Sequence, residues 1–254
     1  MSDIKLLLFD LDGTLLRSDK SISDYSLAVL RKCREKGIAI GVATARGESN
    51  APAILPIIDP DIVISSGGAL VRQGENILYT AEFNSDEAEK LVNNIKAICG
   101  DDCEITSDTL YGYYANYKED VADWGEVIPC DFADFRVPSL KICANIHDES
   151  KVKDLEATLA DSRMLRFTGC DWYQITKSGA TKGAAAVGIS ENLAIPLDNI
   201  AAFGDDLVDI DMLRVCGLGV AVENALAEVK KAADAIAECN DTDGVAKYIE
   251  NFIL

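Results

Sequence analysis

Residues 6–16 read LLLFDLDGTLL, and the fold is decided there. The run 6–9 is wholly apolar and short, as a strand buried on both faces of a parallel sheet should be. Asp10 and Asp12 follow at its C-terminal end, and Gly13-Thr14 turns the chain away. Strand alternation puts positions two apart on one side, so both carboxylates are expected in one crevice beyond the sheet edge. Open α/β sheets bind their ligands in that crevice. A plain Asp-Gly turn needs one acid; here two acids and a hydroxyl cluster beyond an apolar run.

Outward from this stretch, strands and helices alternate. Residues 21–36 are predicted as a helix with Ser23 as N-cap, Leu27, Leu30 and Cys33 on one face, and Gly37 just past the end. A second buried strand, 38–44, ends at Thr44-Ala45-Arg46. A short helix broken by Pro52 and Pro56 covers 51–58, and a third strand, 61–64, empties into Ser65-Ser66-Gly67-Gly68. Such alternation indicates parallel βαβ units. From about residue 69 the pattern changes to a hairpin around Gln73-Gly74-Glu75-Asn76, then an amphipathic helix with Ser85 at its start. Aromatic-rich strands in 103–147, a helix over 149–159 and the strands MLRFTG and WYQITK complete an α+β unit. Beyond Thr181 the parallel grammar resumes, with NIAAFGD at 199–205 as a strand ending in acid. The expected class is therefore α/β: a parallel-sheet core from both ends of the chain, 1–81 and 178–254, with an α+β domain inserted at 82–177.

Composition narrows the functions. Among 254 residues, 24 are basic and 43 acidic, a net charge of −19. That charge repels nucleic acid and anionic lipid. No stretch nears the roughly 18 apolar residues of a membrane span, and Lys5 precedes only LLLF, too little for a secretory signal. A cytoplasmic monomer or homodimer is the expectation. Eight cysteines contain no CxxC pair, and several lie in apolar periodic stretches, as Cys33 does, so buried free thiols are expected. The single histidine, His147, gives no basis for a zinc site or a Ser-His-Asp mechanism.

Three further polar groups share the address of Asp10 and Asp12. Thr44 ends the second strand, Lys182 opens the helix after the insertion, and Asp205 ends 199–205 with Asp206 and Asp209 beyond it. Grouped carboxylates repel unless a positive charge sits among them. Mg²⁺ answers that need, held by Asp10 and Asp205 with substrate phosphate oxygens. With Lys182 and the backbone N–H groups of the Asp12-Gly13-Thr14 turn, it makes a local positive pocket in an acidic protein. Asp10 can then attack phosphorus, and Asp12 can protonate the leaving oxygen and deprotonate the attacking water. Thr44 and Lys182 would hold phosphoryl oxygens, and Asp209 would fix the Lys182 ammonium.

FDLDGTL, Thr44 within VATAR, Lys182 within SGATKGAAA and FGDDLVDIDML together resemble the four motifs of the haloacid-dehalogenase-like phosphohydrolases. The insertion between the second and third motifs is similar to that of the large-cap branch, the Cof-type sugar-phosphatase-like group. The resemblance implies a Rossmann-like core, an α/β cap, Mg²⁺ dependence and a small phosphorylated metabolite as substrate: a sugar phosphate, phosphoglycolate or similar monoester. It also implies that the Asp12 backbone carbonyl ligates the metal and that Ala45 joins Thr44 at the phosphate. Three positions depart from the pattern: Ala45 replaces a glycine, Gly67 an asparagine, and Val208 an asparagine that could have donated to phosphate. Other readings remain: a phosphomutase on the same scaffold, a receiver-like phospho-acceptor, or a non-catalytic binding protein. In the insertion, Tyr111, Tyr113, Tyr114, Tyr117, Trp124, Trp172 and Tyr173 either pack a core or contact a ring. Arg46 either meets a second anionic group of the substrate or pairs with the cap.

Overall fold

The computed structural model describes residues 3–47, 54–117, 127–167 and 169–254. They fall into two compact units: one of residues up to Arg46, the stretch ending at Tyr79 and Thr181–Leu254, the other of Thr80–Ala180 with Gly47.

The first unit is built on an eight-stranded sheet. Its strands are β1 (Leu6–Phe9), β2 (Ala39–Ala43), β3 (Ile62–Ser65), β4 (Leu70–Gln73), β5 (Asn76–Thr80), β12 (Ile200–Gly204), β13 (Leu218–Val222) and β14 (Ala235–Ala237). Their order is β14-β13-β12-β1-β2-β3-β4-β5. Leu6, Leu7, Leu8 and Phe9 have no exposed surface, each side chain worth about 1.5–3 kcal/mol relative to an exposed one. Strand β1 pairs in parallel with both β2 and β12, with Phe9 opposite Val42 on one side and Phe203 on the other. Chain order runs away from β1 in both directions, so the switch point lies between β1 and β12. The hairpin β4–β5 extends this same sheet, β4 running antiparallel to β3. The short edge strand β14 has no counterpart in the sequence reading; three residues carry too little periodicity to reveal it.

Helix α1 (Asp24–Glu35) begins at Ser23, whose hydroxyl accepts from the Ser26 N–H, and buries Ser26, Val29, Leu30 and Cys33, leaving Leu27 half-buried. Only Leu55–Ile58 of the predicted 51–58 helix lies within a described helix, α2; residues 51–53 lie outside the described residues. Helix α5 (Lys182–Leu193) starts at Thr181, whose side chain accepts from the Ala184 N–H. Its buried residues include Gly183, Ala185, Ala186 and Gly188. These small residues let it pack against α6 (Ile210–Val215) and draw Lys182 wholly into the interior. Helices α7 (Ala227–Ala232) and α8 (Gly244–Phe252) complete the unit.

The second unit has a six-stranded sheet of β6 (Ile105–Thr109), β7 (Gly112–Ala115), β8 (Val127–Pro129), β9 (Lys141–Asn145), β10 (Ser162–Arg166) and β11 (Trp172–Lys177), ordered β10-β11-β9-β6-β7-β8. Helices α3 (Ser85–Cys99) and α4 (Glu149–Glu156) pack Leu91, Val92, Ile95 and Leu155 against Ile105, Ile142, Ala144, Tyr173 and Ile175. The cap of α3 is Asn84, which forms a capping box with Glu87, so Ser85 is the first helical residue instead. The tyrosines divide: Tyr113 and Tyr173 are buried, Tyr114 packs edge-on to Phe135, Tyr117 lies against Trp172, and Tyr111 is exposed. Trp124 lies outside the described residues. All eight cysteines are free thiols. Burial pushes Cys33 and Cys143 up to about 11 and Cys216 up to about 12, which keeps them protonated and inert. No described helix is long and apolar enough to cross a membrane.

Candidate active site

At the C-terminal edge of the first unit's sheet, β1 and β12 each deliver one acid. Asp10 leaves β1 with its N–H donating to Phe203 O at 3.0 Å, while Asp205 follows Gly204 at the end of β12. Lys182 rises beneath them from the first position of α5. Its Nζ donates to Asp10 Oδ1 and to Asp209 Oδ1, both at 2.6 Å. The second oxygen of Asp209 accepts the N–H groups of Asp205 and Asp206 at 3.0 Å each, which closes the loop after β12. Asp209 therefore fixes both the lysine and the backbone that carries Asp205. Thr14 donates its hydroxyl to Asp205 Oδ1 at 2.6 Å, and Asn224 braces the Gly13 carbonyl at 2.7 Å. Neither contact had a sequence signal beyond the polar character of the turn.

Electrostatics follow from one ammonium among three carboxylates. Burial disfavours a charged Lys182, but Asp10 and Asp209 outweigh it and hold the lysine above its ordinary value. Burial pushes the Asp10 carboxyl well up, aided by the negative Asp209 and Asp205, and Lys182 only partly offsets this. Asp205 is raised too, by burial first and then by Asp209. Carboxylate oxygens of Asp10, Asp205 and Asp209 all lie within 4.8 Å of one another, a hard-oxygen donor set with excess negative charge. These residues fit a divalent cation. Because a raised folded-state pKa favours the protonated form, Asp10's contribution to metal-free stability is fully present below its unfolded value of about 3.9 and is lost as pH rises through the raised one. Metal-free wild type should thus lose stability relative to Asp10→Asn as pH rises from about 4, read by urea unfolding in EDTA. Saturating Mg²⁺ should abolish that trend.

Gly13 is required at the centre. Its φ is +90°, and a Cβ there would lie 2.6 Å from Asp205 Oδ2. Gly13→Ala should displace that carboxylate and raise the Mg²⁺ concentration for half-maximal activation at least about tenfold. Unchanged Mg²⁺ dependence would show that Asp205 needs no such proximity.

Asp12 departs from expectation. Its carboxylate does not join the cluster of Asp10; instead Arg46 grips it with Nε at 2.8 Å and Nη2 at 2.6 Å, and Lys20 adds a contact at 2.8 Å. The strand ends at Phe9, so the alternation that would have set the two acids side by side no longer governs position 12. Burial raises the Asp12 carboxyl, yet Arg46 and Lys20 outweigh it and hold the group below its ordinary value. Arg46 itself thus meets Asp12, a partner the sequence reading did not consider. Thr44 is buried, its N–H on Ile64 O at 2.8 Å and its hydroxyl accepting from the Arg46 N–H at 3.1 Å. Ala45 lies between them with no positive φ, so the missing glycine costs no strain. Gly67 has φ 71°, a conformation asparagine also tolerates, and Val208 is half-buried in the loop after β12.

The family described as haloacid dehalogenase-like hydrolase matches residues 7–249. The chain belongs to that family. Among curated proteins it is similar to 5-amino-6-(5-phospho-D-ribitylamino)uracil phosphatase YcsE of Bacillus subtilis, 28% identical over 99% of this chain and 97% of the relative. It is also similar to HMP-PP phosphatase of Escherichia fergusonii, 27% identical over 98% of this chain and 96% of that one. Among solved structures, the family's subclass IIB sugar phosphatase BT4131 aligns with a TM-score of 0.84 at 24% identity over 98% of each chain. Placement in the large-cap, Cof-type branch of the family and its Rossmann-like α/β fold follow, and the inserted unit is what the family calls its cap. Lys20, a cation on Asp12, lies outside the four motifs.

Proposed function

We propose that this hydrolase is a Mg²⁺-dependent phosphatase of small phosphate monoesters, acting through an aspartyl phosphate on Asp10. The observation that carries the reading is Lys182 bonded at 2.6 Å to both Asp10 and Asp209, with Asp205 in reach of the same point. Names of relatives as phosphatases support it. Lys182 occupies Asp10 Oδ1, which leaves Oδ2 as the attacking oxygen. As the P–O bond to the alcohol breaks, the alkoxide takes a proton from Asp12. Asp12 then accepts a proton from the water that attacks the phosphoryl group on Asp10, releasing phosphate. Arg46 and Lys20 favour the carboxylate form of Asp12, so Asp12 must first take up a proton from solvent, as one of these cations loosens, before it gives that proton to the alkoxide. Thr44 and Ala45 line the phosphoryl site with Lys182. Mg²⁺ would be held by Asp10, Asp205 and the Asp12 carbonyl, and supplies charge neutralisation at the phosphoryl oxygens. The cytoplasm is the compartment we assign.

Phosphate release should be measured with Mg²⁺, and with EDTA, over sugar phosphates, nucleotides, phosphoglycolate and pyridoxal phosphate. Release that requires Mg²⁺ and Asp10 is expected for at least one of them. Equal release in EDTA, or none from any substrate, would overturn the reading.

A further inference from the structure

Helix α3 ends on Cys99, and Cys103 follows just before β6 begins. Gly100 makes the bend between them: its φ is +104°, and a Cβ there would lie 2.8 Å from Asp102 Oδ1. The Cys103 N–H donates to Gly100 O at 3.2 Å, which closes the turn. The two cysteines thereby line one cavity of about 430 Å³ within the inserted unit, together with Asn145, His147, Asp148 and Lys151. Neither thiol has a part in the reaction proposed above.

The two sulfurs are not equivalent. Cys103 is 7% exposed, with Sγ 3.5 Å from Asn145 O and its S–H in hydrogen-bonding reach of Cys99 Sγ. Burial first, and then Cys99 beside it, push this thiol up to about 12, so it rests protonated and can donate. Cys99 is half-buried. Burial keeps its thiol above the ordinary value, but the Cys103 hydrogen bond and the Lys151 ammonium favour its thiolate, with Asp148 opposing them. Lys151 is held there from α4, its Nζ donating to Cys99 O at 3.0 Å. A thiolate supported by a thiol and a cation is the nucleophile of such a pair, and the buried thiol beside it is placed to resolve.

We infer that Cys99 and Cys103 form a reversible dithiol–disulfide site whose co-reactant is a low-molecular-weight disulfide such as oxidised glutathione. The Cys99 thiolate attacks one sulfur of that disulfide. The S–S bond breaks, and the first glutathione leaves as the thiol, with the proton that Cys99 gave up. Once bonded, Cys99 no longer carries the charge that helped to keep Cys103 protonated. Cys103 then loses its proton, its sulfur attacks Cys99 Sγ, and the second glutathione leaves as the thiol. The two protein thiols lose two electrons and the small disulfide gains them, so no other oxidant is needed. The product closes a short ring at the C-terminal end of α3, and excess dithiol reopens it. This site is independent of the phosphatase reading.

The test exposes the full-length reduced protein to oxidised glutathione at mildly alkaline pH, quenches it with acid, alkylates it in urea and digests it with trypsin for mass spectrometry. Peptide 97–118 contains Cys99 and Cys103 and no other cysteine. It should be unalkylated and lighter by two hydrogens than the dithiol form, and alkylated twice when dithiothreitol precedes the quench. Cys103→Ser should instead stop at a stable glutathione adduct on Cys99. In Cys99→Ser, Cys103 should take up glutathione at least about tenfold more slowly than Cys99 does in Cys103→Ser. Where a variant fails to fold, the wild-type peptide decides alone. Alkylation of both cysteines after oxidant, a glutathione adduct that persists in wild type, or a disulfide from either residue to another cysteine would overturn the assignment. So would Cys103 reacting as fast as Cys99.

Discussion

Asp10→Asn is expected to lose at least about 10⁴-fold of wild-type turnover while folding normally. Asparagine fills the same volume at the end of β1 and can still accept from Lys182, so the loss reports chemistry. Removing the charge also relieves the repulsion that burial, Asp209 and Asp205 impose on the Asp10 carboxyl, so the metal-free variant should be at least as stable as wild type near neutral pH. Steady-state phosphate release beside a urea unfolding curve separates these effects. A variant that keeps more than a tenth of the activity would remove Asp10 as the nucleophile; one that unfolds earlier than wild type would show that the carboxylate is structurally required.

Lys182→Met should be damaging in a different way. Methionine fills much of the space of the lysine stem, so the substitution mainly deletes the charge. Asp10 and Asp209, bonded at 2.6 Å each to the same ammonium, are then left buried and mutually repelling. Breaking a buried ion pair by removing one partner costs about 3–5 kcal/mol. A large fall in the urea midpoint is therefore expected, together with near-complete loss of turnover. Mg²⁺ should recover more stability in the variant than in wild type, because it supplies positive charge to an otherwise uncompensated cluster. An unchanged midpoint would mean that the lysine compensates nothing.

Much of this was legible because the decisive signals are local. An apolar run followed by two acids and a turn can hardly be read otherwise, and strand ends carrying Thr44 and Asp205 announce themselves by the break from apolar to polar. Lys182 was placed by the helix start that Thr181 caps. What escaped were partnerships between positions far apart in the chain. Nothing in sequence indicated that Arg46 and Lys20 would both turn to Asp12, because their reach depends on how the loops after β1 and β2 leave the sheet. Asp108 and Lys141, an ion pair at 2.8 Å in the inserted unit, were equally hidden: their meeting depends on the register of β6 against β9, which the intervening residues do not encode. KICAN alternates, with Lys141, Cys143 and Asn145 about apolar Ile142 and Ala144, whereas ITSDT is polar at four consecutive positions and offers no such clue. Asn84 rather than Ser85 as the cap of α3 is a one-residue shift between two good capping residues, decided by the capping box with Glu87.

The central claim is that Asp10 carries the phosphoryl group, and chemical trapping tests it most directly. Wild-type enzyme turning over a hydrolysed phosphate monoester with Mg²⁺ should be acid-quenched, reduced with borohydride and digested for mass spectrometry. Reduction of an aspartyl phosphate at this site converts residue 10 to homoserine, and that product is predicted in wild type and absent from Asp10→Asn. Phosphate release without any homoserine at position 10, or homoserine at another aspartate instead, would contradict the account.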